Sequence, residues 1–188
     1  PVPEVDEAGR VVLFVGVLGW APNAEGLSRF IRNVWPSVVQ RRPDAVLRVV
    51  GGGASDELQR LMIDAPGVEY LGWQKSLFPS YEAATVCVCP VYRGGGSKIK
   101  ILEALAHRRP MVITDQAYEG VKEVLRNGAD LLVAADDSDF SCSILSLLEN
   151  PHEARRLADK GYATIASTFS KEAFYKQVSE VVGAVSQA

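Results

Sequence analysis

Short runs of apolar, largely β-branched residues alternate along this chain with segments whose apolar residues have helical spacing. The runs VVLFVGV at 11–17 and TVCVCPV at 85–91 lack the polar alternation of a strand that has one face in water. Strands of this kind are buried on both faces, as in parallel sheets that are covered by helices. The repeated strand–helix–strand order therefore predicts a doubly wound α/β fold, with about six parallel strands, helices on both faces and a helical C-terminal tail.

The same patterns give the expected elements and their limits. The predicted strands are 11–17, 45–51, 68–72, 85–91, 110–114 and 131–134. The predicted helices are 26–41, which Pro36 should bend or interrupt, one that Ser55 caps, 76–84, 97–107, 119–127, 138–149, 151–167 and 171–186.

Three regions follow from this reading. Residues 1–10, PVPEVDEAGR, form a polar, proline-rich lead that is typical of an interdomain linker, so we expect a piece of a longer protein. Residues 11–168 form the predicted Rossmann-like domain. Residues 169–188 are expected to form an amphipathic helix, which packs toward another domain.

Composition excludes several classes of function. A net charge of −3 argues against general nucleic-acid binding, which needs a broad basic surface. His107 and His152 lie far apart in the sequence, so no histidine-rich metal cluster is expected. Cys87, Cys89 and Cys142 are an odd number without Cys-x-x-Cys spacing, which favours a reducing, cytoplasmic compartment. Cys87 and Cys89 share one face of a strand, and core packing is the favoured explanation over metal binding.

Glycines lie at or near the ends of three predicted strands. They are Gly16, the triplet Gly51–Gly53 and the triplet Gly94–Gly96. In open parallel sheets, ligands bind outside the carboxyl ends of the strands, and glycine lets a ligand approach the backbone closely. A tight turn is the alternative explanation for Gly51–Gly53.

The segment RGGGSKIK, which begins at Arg93, carries the more specific signal. If Ser97 caps the next helix, the free N–H groups of that helix point into the loop Gly94–Gly96 and favour an anion there. Lys98, in the first turn, opposes the helix dipole at a cost of about 0.3–1 kcal/mol, whereas charge-assisted hydrogen bonds contribute about 1.5–3 kcal/mol. The segment is thus predicted to hold a diphosphate, with Arg93 as a second cation and with Lys100 on nearly the opposite side of the helix. A solvated surface lysine is the alternative for Lys98.

Glu103 follows on the same predicted helix. It could form an ordinary surface pair with Lys100, three residues earlier. A carboxylate near a nucleotide site is also the usual partner of ribose hydroxyls. Charge alone does not choose between the two.

Most of the chain, from about residue 11 to 170, resembles a known family. VVGGG, VEYLGW, VCVCPVYRGGGSKIKILEALAHRRPMVIT and YEGVKEVLRNGADLLVA follow in the order found in the donor-binding, C-terminal domain of GT-B glycosyltransferases of family 4, or group 1. The part around Lys98 to Pro110 is the most specific. Pro22 and Asn23 further resemble the subgroup whose first loop carries Pro-Asn.

The resemblance implies a nucleotide-sugar site that faces a separate N-terminal acceptor domain. Glu103 matches the second glutamate of the E-x7-E motif, which holds the ribose. Lys98 and the loop Gly94–Gly96 match the region that faces the diphosphate and sugar, near Gly16. The backbone at Gly72 and Trp73 matches the segment along the nucleobase.

The family also implies a reaction and a location. Its members transfer a sugar with retention of configuration to a glycan or lipid-linked acceptor, and without a cofactor or bound metal. We expect the catalytic groups in the N-terminal domain, so that this piece alone is inactive. Association with the inner membrane face through that domain, in polysaccharide or glycolipid assembly, is an expectation from the family alone.

Several residues depart from the family pattern. Gly95 stands where the first glutamate of E-x7-E is expected, Val17 where many members have arginine, and Asn23 near the place of a lysine. Arg108 replaces a helix-ending glycine, so local backbone strain is expected there. We interpret these departures as a variant mode of donor binding rather than as lost activity.

Two functions of other classes stay open from the sequence. A nucleotide-dependent oxidoreductase would need Gly-x-Gly-x-x-Gly after the first strand, where GVLGWAPN stands. A non-catalytic α/β interaction module that has lost its ligand would fit Gly95 and Val17.

Overall fold

The computed structural model describes residues 10–94 and 99–169. Within them, six parallel strands form one sheet in the order β3-β2-β1-β4-β5-β6, which confirms the predicted doubly wound fold. The strands are Val11–Val15 (β1), Val46–Val50 (β2), Val68–Gly72 (β3), Val86–Cys89 (β4), Met111–Thr114 (β5) and Leu132–Ala134 (β6).

Helices cover both faces of the sheet. They are Ala21–Arg29 (α1), Trp35–Arg41 (α2), Asp56–Asp64 (α3), Phe78–Glu82 (α4), Ile99–Ala106 (α5), Asp115–Tyr118 (α6), Asp137–Glu149 (α7) and Pro151–Phe169 (α8). None of the described helices has the length and apolar character needed to cross a membrane. The predicted linker, apart from Arg10, and the predicted helix 171–186 lie outside the described residues.

Alternate residues of the strands feed two separate hydrophobic cores. Phe14 of β1 packs on one face with α1, α2, α3 and α7, whereas its neighbour Leu13 packs on the other face with α4 and α5. Cys87 and Cys89 are buried in the second core, as predicted from their shared face. Burying an apolar side chain of this size contributes about 1.5–3 kcal/mol, so both faces anchor the sheet.

The predicted helix 26–41 begins five residues earlier and is not interrupted at Pro36. Pro22 lies in the first turn of α1, where a missing N–H and a fixed φ are tolerated. Between α1 and α2, Phe30–Val34 forms a π-helical segment, in which Trp35 N donates to Phe30 O. This wider turn leaves room for the ring of Pro36 against the preceding turn.

The predicted helix 119–127 is wrong. A short helix, α6, forms earlier, because the Thr114 hydroxyl accepts a hydrogen bond from Ala117 N (3.2 Å). After it the chain forms successive turns, such as Val121 N to Tyr118 O (2.8 Å). Turns bury the apolar side chains of this stretch, and the spacing of these side chains along the sequence resembles that of a helix.

Candidate functional site

A cavity of about 560 Å³ opens at the carboxyl edge of the sheet. It lies outside β1 and β2 and is closed on the other side by α5. Three groups of residues line it. We call Gly16, Gly51 and Gly52 the backbone wall, Lys100 and Glu103 the side-chain wall, and Trp20 and Trp73 the aromatic rim.

The backbone wall depends on close contact between the ends of β1 and β2. Gly16 N donates to Val50 O (2.9 Å), which joins the end of β1 to β2, and Gly51 N donates to Gly72 O (2.8 Å), which joins the end of β2 to β3. Gly51 has φ +149°, and a Cβ atom there would lie 1.8 Å from Gly16 O. Only glycine fits at Gly51, so bare backbone forms this side of the cavity.

Lys100 reaches the backbone wall from α5. Its Nζ donates a hydrogen bond to Asn23 Oδ1 and lies 5.2 Å from the centroid of the Phe14 ring. Asn23 is 4 % exposed, and its Nδ2 donates to Val17 O (2.9 Å). A Cβ atom on Gly16 would lie 3.0 Å from Lys100 Nζ. The ammonium is therefore held against the backbone wall, where an anion in the cavity can reach it.

Glu103 lies three residues further on the same face of α5. Its Oε2 accepts a hydrogen bond from the Tyr81 hydroxyl (3.4 Å). Burial raises the pKa of Tyr81 above its ordinary value, and Glu103 adds to this rise, so the hydroxyl stays a donor. The structure thus places Glu103 in the wall of the cavity, whereas the alternative was a surface pair with Lys100.

The aromatic rim frames the mouth of the cavity. Trp73 is 74 % exposed and Trp20 is 43 % exposed. Trp73 follows Gly72, whose φ of +66° turns the chain at the end of β3. Its Cβ atom is 3.4 Å from the position that a Cβ atom on Gly52 would take. Two exposed indole rings beside bare backbone can stack on a planar ligand group.

Arg93 is not among the described residues that line the cavity. Its guanidinium is exposed and pairs with the carboxylate of Glu25 on α1, which raises the pKa of Arg93. Gly94 has φ +86° and lies against Pro22. Gly95, Gly96, Ser97 and Lys98 lie outside the described residues, so the diphosphate site proposed for them stays a prediction.

Sequence reasoning missed Lys100 and Asn23 as residues of the site. Lys100 was left out of the predicted site because it lies on nearly the opposite side of the predicted helix from Lys98. Its spacing from Glu103 was the available signal, because residues three apart share a helix face. The burial of Asn23 and its contact with Lys100, 77 positions away, depend on how α1 packs and leave no local pattern.

The departures from the family pattern have visible structural consequences. Val17 lines the cavity with an exposed side chain. Arg108, two residues after the end of α5, has φ +51°, which confirms the expected strain at this position. Its guanidinium pairs with Asp159 (3.1 Å) and lies 4.0 Å from the ring centroid of Tyr162. Among the residues that the structure describes, no group of three or more His, Cys, Asp or Glu side chains could hold a metal ion.

Known proteins share this fold and sequence pattern. The chain is 29% identical over 163 residues to the lipopolysaccharide core biosynthesis glycosyltransferase LpsE of Rhizobium meliloti, covering 81% of this chain and 47% of that protein. A TarM variant of S. aureus, solved with Fondaparinux, alpha-GlcNAc-glycerol and UDP, superposes with a TM-score of 0.79 at 18% identity, over 96% of this chain and 36% of that one.

A second solved structure has nearly the same extent as this chain. It is the C-terminal domain of a glycosyl transferase group 1 family protein, LpcC, from Francisella tularensis, with a TM-score of 0.65 at 17% identity and 86% of each chain covered. By contrast, the chain spans less than half the length of the first curated relatives that it matches, 44% and 47%. The family model "Glycosyl transferases group 1" matches residues 9–150, and the chain, which has the fold of a GT-B C-terminal domain, belongs to this family.

Proposed function

We propose that this chain is the donor-binding domain of a retaining glycosyltransferase. It binds a nucleotide diphosphate sugar in the cavity at the carboxyl edge of the sheet. A second, N-terminal domain supplies the acceptor site and the remaining catalytic groups, and the sugar passes to a glycan or lipid-linked acceptor. By itself the chain binds the donor and transfers nothing.

One observation carries this proposal: an ammonium and a carboxylate stand on one face of α5, in a cavity large enough for a nucleotide. Lys100 and Glu103 are three positions apart on the helix, which places their Cβ atoms about 5–6 Å apart. In a nucleotide the diphosphate adjoins the ribose. Lys100 therefore suits the diphosphate, while Glu103 suits the ribose hydroxyls.

The other lining residues fit the same orientation of the ligand. Trp73 and the backbone at Gly72 lie on the side of Gly52, where the base would stack. Gly16 and Lys100 lie together where the two walls meet, and the bare backbone there leaves space for phosphate oxygens. The UDP named with TarM, a protein of this fold, supports a nucleotide as ligand.

We further propose that positive side chains, rather than a bound metal or a cofactor, stabilise the leaving diphosphate. Lys100, with Lys98 as predicted, would meet charge that develops on the leaving group. The acceptor class is supported by LpsE, whose name assigns it to lipopolysaccharide core biosynthesis. We also propose that the protein acts on the cytoplasmic side and contacts the inner membrane face through the second domain.

Calorimetric titration of the chain with UDP, GDP and ADP tests the proposal. We expect one of the three to bind, and the Lys100→Met variant to bind it roughly 10- to 100-fold more weakly, since a charge-assisted hydrogen bond contributes about 1.5–3 kcal/mol. Methionine keeps an apolar side chain of similar length and removes the ammonium that lies over the Phe14 ring. Lys160→Met is the matched control, because this lysine is exposed on α8.

Two further titrations separate the parts of the proposal. Lys98→Met tests the predicted second cation, and EDTA should leave the affinity unchanged if no metal takes part. Absence of heat with all three nucleotides at millimolar concentration would contradict donor binding by this chain. Equal affinity of the wild type and Lys100→Met would contradict the assigned orientation.

A further inference from the structure

Three polar side chains of α5 and of the residue after it form one stripe. Lys100, Glu103 and His107 are spaced by three and then four residues, which places them on the same helix face. Tyr81 of α4 touches two of the three. Its ring stacks on the His107 imidazole, with centroids 4.5 Å apart and planes inclined by 12°, and its hydroxyl donates to Glu103.

The Tyr81 side chain is fixed from several sides. It is 2 % exposed, and its backbone N donates to Leu77 O (3.0 Å). Phe78 packs edge-on against His107, the residue that stacks on Tyr81, with 5.7 Å between the ring centroids of Phe78 and His107. A buried hydroxyl needs a hydrogen-bond partner, and Glu103 Oε2 is the partner that the structure provides.

We infer that Tyr81 is a positioning residue for recognition of the ribose, acting through Glu103. This inference rests on the proposed function. Tyr81 engages Oε2 of the carboxylate, and Glu103, which lines the cavity, keeps further lone pairs for the two ribose hydroxyls. His107 holds the ring of Tyr81 in place by stacking, so the hydroxyl stays at the carboxylate.

The arrangement matters because an unrestrained glutamate populates many rotamers. Ordering such a side chain during ligand binding lowers affinity, whereas a side chain already held by a neighbour avoids this loss. The effect is confined to ligands that carry ribose hydroxyls. If Tyr81 had only a structural role, replacing it would instead lower the affinity for every nucleotide by the same factor.

The test compares a ribonucleotide with its 2′,3′-dideoxy counterpart, using whichever of UDP, GDP and ADP binds the chain most tightly. The measured quantity is the ratio of the two dissociation constants. We expect a ratio of about ten for the wild type, as for hydrogen bonds to a charged group, and about three for Tyr81→Phe. Tyr118→Phe is the matched control, because its hydroxyl donates to Leu125 O (2.9 Å) away from the cavity, and it should keep the wild-type ratio.

Each result has a distinct meaning. A ratio in Tyr81→Phe equal to that of the wild type overturns the inference and leaves nucleotide binding intact. An equal fall in Tyr118→Phe also overturns it. If the wild type binds no nucleotide, the proposed function fails and this inference fails with it.

A double variant makes the test independent of small losses in stability. Glu103→Ala should lower the ratio to about one, and adding Tyr81→Phe should then change nothing further. A further fall in the double variant would overturn the inference. If Tyr81→Phe does not fold, His107→Leu replaces it, and the ratio should again fall below that of the wild type; an unchanged ratio would count against the inference.

Discussion

The backbone wall and the side-chain wall of the cavity face the same space, but different parts of the chain define them. At the backbone wall, Gly51 leaves no room for a side chain, because the ends of β1 and β2 are in contact. At the side-chain wall, Lys100 and Glu103 project from a helix that could carry other residues without refolding. The shape of the backbone wall is therefore fixed by packing, whereas the side-chain wall can carry different functional groups.

The two walls also differ in which of them supplies positive charge to the cavity. The first loop, beside the backbone wall, lacks the arginine and lysine that the family resemblance led us to expect, and carries Val17 and Asn23 instead. Lys100 reaches across from α5 and contacts Asn23. A cation thus stands at the first loop although the first loop does not supply it.

The largest effect should come from filling the contact within the backbone wall. Gly51→Ala introduces a Cβ atom 1.8 Å from Gly16 O at a φ of +149°, so we expect the free energy of unfolding to fall by more than about 3 kcal/mol. Urea unfolding followed by circular dichroism measures it. The control is Gly128→Ala, because Gly128 has φ +76° with open space around it and should lose only about 1 kcal/mol. Equal losses in both variants would show that steric contact is not what fixes this wall.

A smaller effect should appear where the two walls meet. In Gly16→Ala the new Cβ atom lies 2.9 Å from Asn23 Nδ2, which is buried and donates to Val17 O, and 3.0 Å from Lys100 Nζ, the end of a long side chain. We expect both side chains to shift, so that nucleotide affinity falls about 3- to 10-fold and the free energy of unfolding falls by about 1–2 kcal/mol, because the hydrogen bonds of Asn23 are disturbed. Calorimetry and urea unfolding measure the two quantities. Gly19→Ala is the control, because Gly19 lies in the first loop outside the lining of the cavity and its Cβ atom would meet Gly53 O only at 3.6 Å; a similar loss of affinity in it would refute the explanation.

The smallest effect concerns the end of the helix that carries the side-chain wall. Arg108→Ala keeps the strained φ and removes the contacts with Asp159 and Tyr162, whereas Arg108→Gly removes the same contacts and relieves the strain. Glycine should therefore be more stable than alanine by about 1 kcal/mol. The midpoints of urea unfolding give this difference. Alanine at least as stable as glycine would mean that the helix end is not strained.

The sequence was sufficient where burial follows local pattern. All six strands lie within the predicted ranges, and β1, β4 and β5 were the plainest, because a strand covered on both faces leaves a continuous apolar run. Ser55 caps α3 as predicted, with its hydroxyl accepting from Leu58 N (3.3 Å). The false helix at 119–127 shows the limit of this reasoning. There, turns bury Val121 and Leu125, and the spacing of the apolar residues does not distinguish turns from a helix.

The site was less accessible from sequence because it depends on contacts between distant segments. The strand-end glycines were singled out by their local pattern and Glu103 by the family resemblance, and Gly16, Gly51, Gly52 and Glu103 line the cavity. The place of Lys100 depends on packing between α5 and α1, and that of Arg93 on its pairing with Glu25, which no spacing rule gives. The roles of the loop residues that lie outside the described part of the chain, Lys98 among them, stay predictions.

The hydrogen bond between Lys100 and Asn23 has a thermodynamic consequence. A lysine side chain in water samples many rotamers, and its immobilisation by a ligand lowers affinity. Here a buried amide, itself tied to Val17 O, orders the ammonium while the protein folds. The entropy of that side chain is lost before a ligand arrives, so an anion that entered the cavity would meet a cation that is already in position.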